Sequence, residues 1–192
     1  ANMALTVENI DKAESVIADS DVLALQCEVP MEANQRAAEI ANNNNTLVIL
    51  DPAPACEISN ALLSLIDIIT PNESEAEILT GMPIETDNQA IEAAHFLLSK
   101  GIETVILTLG SRGSFLLTEK MGKRISAYVV EVVDSTAAGD AFCGALASSL
   151  SGGKTIEEAV DIANAAGALA VTKLGAEPSL PTKKAIDQLL VK

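Results

Sequence analysis

The stretch D-S-T-A-A-G-D-A-F, from Asp134 to Phe142, sets two carboxylates around a run of small residues where a strand-like run hands over to a helix-like one. A helix beginning near Ala137 would leave the N–H groups of Ala138, Gly139 and Asp140 as orphan donors at its positive end, where an anion is stabilised. Asp140, in the first turn, could take a proton from a hydroxyl while those donors hold developing negative charge. The plainer alternative is a helix start with a dipole-favoured acid. Against it, Asp, Ser and Thr at 134–136 already offer a cap, and Ala-Ala-Gly adds nothing to capping.

Two further loops carry polar groups. T-L-G-S-R-G-S (108–114) ends a strand-like run. Gly110 and Gly113 would let the backbone approach a ligand, and Thr108 and Ser111 offer hydroxyls; a hairpin loop to 114–118 would explain the same residues. T-P-N-E-S-E (70–75) places Asn72 and Glu75 at a helix start, either as a cap or as groups for phosphate and hydrated Mg²⁺. S-G-G-K-T (151–155) lacks the first glycine of a phosphate loop, since position 148 is serine, and no strand precedes it. It reads as a helix-start loop, and no G-x-G-x-x-G follows a strand.

Composition narrows the ligands. Among 192 residues, Asp plus Glu number 27 against 12 Lys plus Arg, a net charge of −15, which repels nucleic acid and anionic membranes. An anionic ligand such as ATP would need local help from helix N-termini and metal ions. Cys27, Cys56 and Cys143 form no C-x-x-C and His95 is the sole histidine, so no zinc site is expected and a reducing cytoplasm is. No apolar run has transmembrane length. The core must be aliphatic and alanine-rich, since aromatics are Phe96, Phe115, Phe142 and Tyr128 alone.

The elements that must position these residues alternate. Residues 21–29, 46–51, 66–70 and 103–110 are short apolar runs of the kind that form parallel strands buried on both faces. Residues 114–118 and 125–133 read as two more, antiparallel at an edge. Between them, Ile10, Ala13 and Ile17 share a helical face, as do Ile91, Ala94 and Leu98. Ile156, Ala159, Val160, Ala163, Gly167, Ala170 and Val171 form a continuous stripe. Thr155 with Glu158 is a capping box, T-D-N-Q at Thr86 repeats it, and Asn42 to Asn45 end a helix. The expectation is one α/β domain over 1–192, a doubly wound, mostly parallel sheet flanked by helices. Its ligand edge lies beyond the strand C-termini, at Glu28, Asp51, Asn72, Thr108 to Gly113, and Asp134 to Asp140.

In order, D-P-A-P (51–54), T-P-N-E-S-E (70–75), T-L-G-S-R-G (108–113), D-S-T-A-A-G-D-A-F (134–142), A-N-A-A-G-A-L-A-V-T (163–172) and G-A-E-P-S (175–179) resemble the ribokinase (PfkB) family of carbohydrate kinases. The resemblance covers the whole chain, and implies ATP-dependent phosphorylation of D-ribose at its 5-hydroxyl to ribose 5-phosphate. It implies Asp140 as catalytic base and the backbone of Ala137, Ala138 and Gly139 as anion hole. ATP would be held by Asn72, by Thr108, Leu109, Gly110, Ser111, Arg112 and Gly113, by Gly139, and by Asn164 near the adenine. Glu75 would organise Mg²⁺ and phosphate indirectly, and Glu28 would contact the sugar. A monovalent cation, K⁺, would sit with the side chains of Asp134 and Ser179 and the backbones of Thr136, Ala170, Lys173 and Gly175.

Two departures qualify that picture. Asp51 stands where many members carry Asn. The family's Gly-Gly-Lys-Gly-x-Asn sugar motif, its early Asn/Asp pair and its lid strands are absent, so the chain resembles the C-terminal two-thirds of a member. The expectation is little or no kinase activity from this chain alone. Another sugar or a nucleoside as substrate, or an inactive nucleotide-binding fragment, are the alternatives. The parent enzyme is expected in the cytoplasm, as a homodimer through its lid strands, with neither nucleic acid nor membrane as partner.

Overall fold

The computed structural model describes residues 2–191. The chain gathers into two compact units. One comprises residues 1–108 and 115–123, the other 109–114 and 124–192.

The first unit holds helices α1 (Val7–Lys12), α2 (Glu14–Ala18), α3 (Met31–Asn43), α4 (Asn60–Leu63), α5 (Glu73–Thr80) and α6 (Asp87–Leu98). Its strands are β1 (Val22–Gln26), β2 (Leu47–Asp51), β3 (Ile68–Ile69) and β4 (Thr104–Thr108), followed by β5 (Ser114–Thr118) and β6 (Gly122–Ile125), which also draw on residues of the second unit. The strands pair in sequential order, β1 to β6. β1 to β4 run parallel, with Gln26 opposite Asp51 and Ile69 opposite Val105. Helices fill each parallel crossover. The connections from β4 to β5 and from β5 to β6 are too short for a crossover, so those pairs are antiparallel and the sheet is mixed.

Local chemistry accounts for the elements. Val48, Ile49, Leu50, Val105, Ile106 and Leu107 are fully buried, as continuous apolar strands must be when covered on both faces. Thr6, Asn72 and Thr86 cap α1, α5 and α6 with reciprocal boxes to Asn9, Glu75 and Gln89. α3 ends at the asparagine run, with Asn45 left-handed. One core joins Ile17, Leu25, Ile40, Val48, Leu50, Ile69, Leu97, Val105 and Leu117.

The second unit contains α7 (Ala138–Ser151), α8 (Ile156–Ala170) and α9 (Lys183–Leu190). Thr155 caps α8 through a box with Glu158, so 151–155 is the helix-start loop expected. Ala141, Ala165, Ala166 and Ala170 pack with Ile186. Small side chains let α7 and α8 approach closely: a Cβ on Gly167 would lie 3.4 Å from the Ala138 carbonyl oxygen.

Two element boundaries differ from expectation. The face of Ile10, Ala13 and Ile17 belongs to two short helices, because Ala13 leaves the helical region with φ −94° and ψ 3°. The last strand is Gly122–Ile125 instead of 125–133; residues 126–132 lie outside any ladder. Tyr and Val favour extended backbone, but a strand exists only where a neighbour accepts its hydrogen bonds.

Candidate active site

In the first unit the expected residues fall at the C-terminal ends of the parallel strands. Asp51 closes β2 and Thr108 closes β4, Glu28 is two residues beyond β1, and Asn72 follows β3. The structure brings Asn72 and Thr108 together as bridge partners, with the Thr108 N–H donating to the Pro71 carbonyl at 2.9 Å. Glu28 is exposed and accepts from Asn2 Nδ2 at 3.3 Å.

Asn72 and Glu75 form a closed pair. Asn72 Oδ1 accepts from the Glu75 N–H at 2.9 Å, while Glu75 Oε2 accepts from the Asn72 N–H at 2.8 Å and Oε1 from Asn72 Nδ2 at 2.7 Å. Both readings of this motif concern the same atoms, and the cap is the one formed here. Burial pushes the Glu75 carboxyl above its ordinary range, with the Asp51 charge acting the same way against the lowering bonds from Asn72.

A neighbouring group is visible only in three dimensions. Asp51 is 7% exposed and accepts from Gln26 Nε2 at 3.0 Å across the β1–β2 register. Cys27 lies beside Cys56; burial first, then the hydrogen bond that the Cys27 thiol donates to Cys56, pushes the Cys27 thiol up to about 12. In sequence these cysteines are 29 positions apart with no motif between them. The strand register that joins them is their only signal.

In the second unit the D-S-T-A-A-G-D loop has the predicted helix but a different cap. Ala137 is the N-cap, left-handed at φ 61° and ψ 13°, with no side-chain bond to the helix. Asp134, Ser135 and Thr136 supply none. Asp134 is instead drawn to its own loop and to a second one: Oδ1 accepts from the Thr136 N–H at 3.0 Å and its hydroxyl at 2.7 Å, and Oδ2 from the Gly175 N–H at 2.9 Å. These bonds, that from Gly175 foremost, hold the Asp134 carboxyl below its ordinary range. The Val133 and Asp134 N–H groups both donate to the Val171 carbonyl. The structure therefore stitches residues 133–136 to 171–175.

At the start of α7, the Ala138 N–H turns back to the Ser135 carbonyl at 3.3 Å, a long bond, and the Gly139 N–H makes no backbone bond. Asp140 is exposed in the first turn. Such an end can receive an anion at Gly139 with a carboxylate alongside. Ser179, fully buried, donates its hydroxyl to the Ala176 carbonyl at 2.7 Å; Ala170 ends α8 and Lys173 is exposed.

In the 109–113 loop, Gly110 is left-handed with open space around it, while Gly113 is crowded by the chain's own backbone. A Cβ there would lie 2.1 Å from the Ile125 carbonyl oxygen and 2.6 Å from the Ala127 nitrogen, so the glycine admits the chain's own backbone. Leu109, through its N–H, bonds the Gly113 carbonyl at 2.8 Å, and Gly110–Arg112 is a turn of 3₁₀-helix. Asn164 points its amide at Ser114 Oγ, 3.0 Å, and at the Ile125 carbonyl, 3.5 Å.

Among the described residues no cluster of three or more His, Cys, Asp or Glu could hold a metal, and no helix is long and apolar enough to cross a membrane.

A mixed sheet flanked by helices, with a helix start that no side chain caps and an acid in its first turn, places the chain in the α/β class. The chain belongs to the pfkB family of carbohydrate kinases, which it matches over residues 1–183. Its relatives include the ribokinase of Haemophilus influenzae, 45% identical over 184 residues, 96% of this chain and 60% of that protein. The deoxyribokinase of Salmonella typhi is 34% identical over 191 residues, 99% of this chain and 62% of that one. Among solved structures, Arabidopsis thaliana ribokinase complexed with ribose and ATP superposes with a TM-score of 0.90 at 37% identity, covering 94% of this chain and 59% of the other. The chain thus spans about three fifths of the length of these two relatives.

Proposed function

We propose that this chain carries the nucleotide site, general base and cation site of a kinase that transfers the γ-phosphoryl of ATP to the 5-hydroxyl of D-ribose. The single observation that carries the reading is the start of α7. Its N-cap is an alanine in the left-handed region with no side chain over the helix end, the Gly139 N–H makes no backbone bond, and Asp140 follows in the first turn.

In the proposed reaction Asp140 takes the proton of the 5-hydroxyl as that oxygen bonds to the γ-phosphorus and the bond to ADP breaks. Backbone N–H groups of Ala137 to Gly139 hold the charge that gathers on the phosphoryl oxygens. Asn72, the 108–113 loop and Asn164 hold the nucleotide, and Glu28 contacts the sugar. Mg²⁺ arriving with ATP would neutralise phosphate charge, with Glu75 holding it through water because both Glu75 oxygens already serve Asn72. Around Asp134 the donors are oxygens with a single ionised carboxylate, which suits K⁺ better than a divalent ion. Asp134, Ser179 and the carbonyls of Thr136, Ala170, Lys173 and Gly175 would hold it and fix the loop ahead of α7. Cys27, Cys56 and Cys143 are in no disulfide, which fits work in the cytoplasm. A full-length relative would form a homodimer.

This chain carries no Gly-Gly-Lys-Gly-x-Asn sugar motif, so alone it should bind ATP with little or no turnover. Calorimetric titration with ATP tests the nucleotide site, and a coupled ADP assay with ribose and deoxyribose tests the chemistry. Failure to bind ATP would overturn the proposal; ribose turnover by the isolated chain at a full ribokinase's rate would overturn the division of labour. Preference for deoxyribose would move the substrate toward that of the 34%-identical relative.

A further inference from the structure

Two thiols of the first unit meet where its first two strands end. The parallel register sets Gln26, the last residue of β1, opposite Asp51, the last of β2, so the chain leaves both strands on the same side of the sheet. The Cys27 N–H carries the pairing one step further and donates to the Ala53 carbonyl at 2.9 Å. Three residues on from Ala53, Cys56 accepts a hydrogen bond from the Cys27 thiol. Cysteines 29 positions apart are thus in contact, each on a loop that leaves one of two neighbouring strands. Residues 27–30 and 52–59 belong to no helix or strand. Little regular structure therefore resists the small approach that turns a thiol contact into a disulfide. Both cysteines are half-buried, open enough for a small reagent to reach. Among the described residues they join no cluster of three or more His, Cys, Asp or Glu that could hold a metal, so the chemistry available to the pair is that of two thiols.

We propose that Cys27 and Cys56 form a reversible redox site, closed by a low-molecular-weight disulfide such as oxidised glutathione, and that closure fastens the loop bearing Glu28 to the loop leaving β2. The Cys56 sulfur, as thiolate, attacks one sulfur of the small disulfide. That S–S bond breaks, a mixed disulfide forms on Cys56, and the departing small thiolate takes up the proton that Cys56 released. The Cys27 sulfur then attacks Cys56 Sγ, and its proton passes to the second small thiolate as it leaves. One small disulfide is reduced to two small thiols while two protein thiols are oxidised to one disulfide. The order of attack follows from the surroundings, because the thiolate is the nucleophile. Cys27 is desolvated and already donates its proton to Cys56, so it is poorly placed to begin the exchange and well placed to finish it. In a reducing compartment the pair rests open and closes only while oxidant is present. The inference goes beyond phosphoryl transfer and holds whether or not the chain binds a nucleotide.

The test treats the full chain, carrying Cys143→Ser to remove the third thiol, with oxidised glutathione at neutral pH, then blocks remaining thiols and cleaves after lysine and arginine. Cys27 and Cys56 fall in separate peptides, 13–36 and 37–100, so mass spectrometry reads their union directly. The two peptides are expected joined within one chain, and separated again by reduced glutathione in excess. Closure should slow amide exchange across 27–30 and 53–58 and raise the thermal midpoint by about 5 °C. With Cys27→Ser added, Cys56 should stop at the mixed disulfide with one glutathione attached. With Cys56→Ser added instead, Cys27 should take up glutathione about tenfold more slowly. Thiols that stay reduced, a link formed only between two chains, a link that forms only in urea, or Cys27 reacting as fast as Cys56 would each overturn the proposal. The link and its exchange pattern are read with both thiols intact, so they decide the matter even if a serine variant folds poorly. Kinase activity is not the readout, so failure to bind ATP would count against the proposed function alone.

Discussion

The starts of α5 and α7 are the same kind of object finished in opposite ways. At α5 the side chains of Asn72 and Glu75 close on the helix end and on each other with three bonds of 2.7 to 2.9 Å. At α7 the cap is Ala137, left-handed and without a side-chain bond, with glycine two residues on. A sealed helix end contributes stability; an open one forgoes that stability and keeps its positive end for a ligand. The carboxylates follow suit. Glu75 is buried in the seal, whereas Asp134 turns away from the helix to hold Gly175.

Breaking each end should therefore produce different losses. The largest effect is expected at α7: in a polypeptide of full ribokinase length carrying this sequence, Asp140→Asn should lower turnover by about 10²- to 10⁴-fold. ATP affinity measured by calorimetry should hardly change, and near-normal turnover would remove Asp140 as the base. At α5, Asn72→Ala opens the seal and strands the buried Glu75 carboxylate, costing about 2 kcal/mol in urea unfolding. Equal stability would mean that the bonds at α5 are not what holds its end.

A smaller effect of opposite sign is expected from Ala137→Gly. The left-handed backbone costs a non-glycine residue about 1 kcal/mol, and glycine's greater unfolded entropy returns part of it. The net gain should be about 0.5 kcal/mol, and a loss would show that the Ala137 methyl packs usefully.

The subtlest contrast is in pH. Asp134 has a lowered carboxyl pKa in the folded chain, so its contribution is present above its unfolded value of 3.8 and is lost as pH falls through the folded one. Glu75 has a raised one, so its contribution is present below 4.5 and lost as pH rises through its folded value. Unfolding titrations of Asp134→Asn and Glu75→Gln, each against the parent chain, should therefore show pH slopes of opposite sign; slopes of the same sign would contradict the assignment.

Much of this was legible in the chain itself. Apolar runs bounded by turn residues located β1 to β4, and 114–118 matched β5 to the residue. The boxes at Thr86 and Thr155 formed as written, because a cap is a contact between residues three apart and needs no tertiary help. Expectations failed where the outcome depended on a distant partner. Residues 126–133 have strand residues but no neighbouring strand to bond. Asp134 looks like part of a cap until Gly175, 41 positions away, captures it. The Ile125 backbone that crowds Gly113 is likewise not specified by its sequence neighbours.

By itself the sequence determined the alternating elements, the acid in a small-residue helix start, and the motifs that place the chain among carbohydrate kinases. These are local, carried by spacing along the backbone. Only the tertiary structure decided which helix ends are closed and which left open, that Asp134 joins two loops, and that Asp51, Gln26, Cys27 and Cys56 meet at the ends of β1 and β2. The physical reason is that hydrogen-bond partners and desolvation are set by what folds back onto a residue, and neighbours in sequence do not specify that.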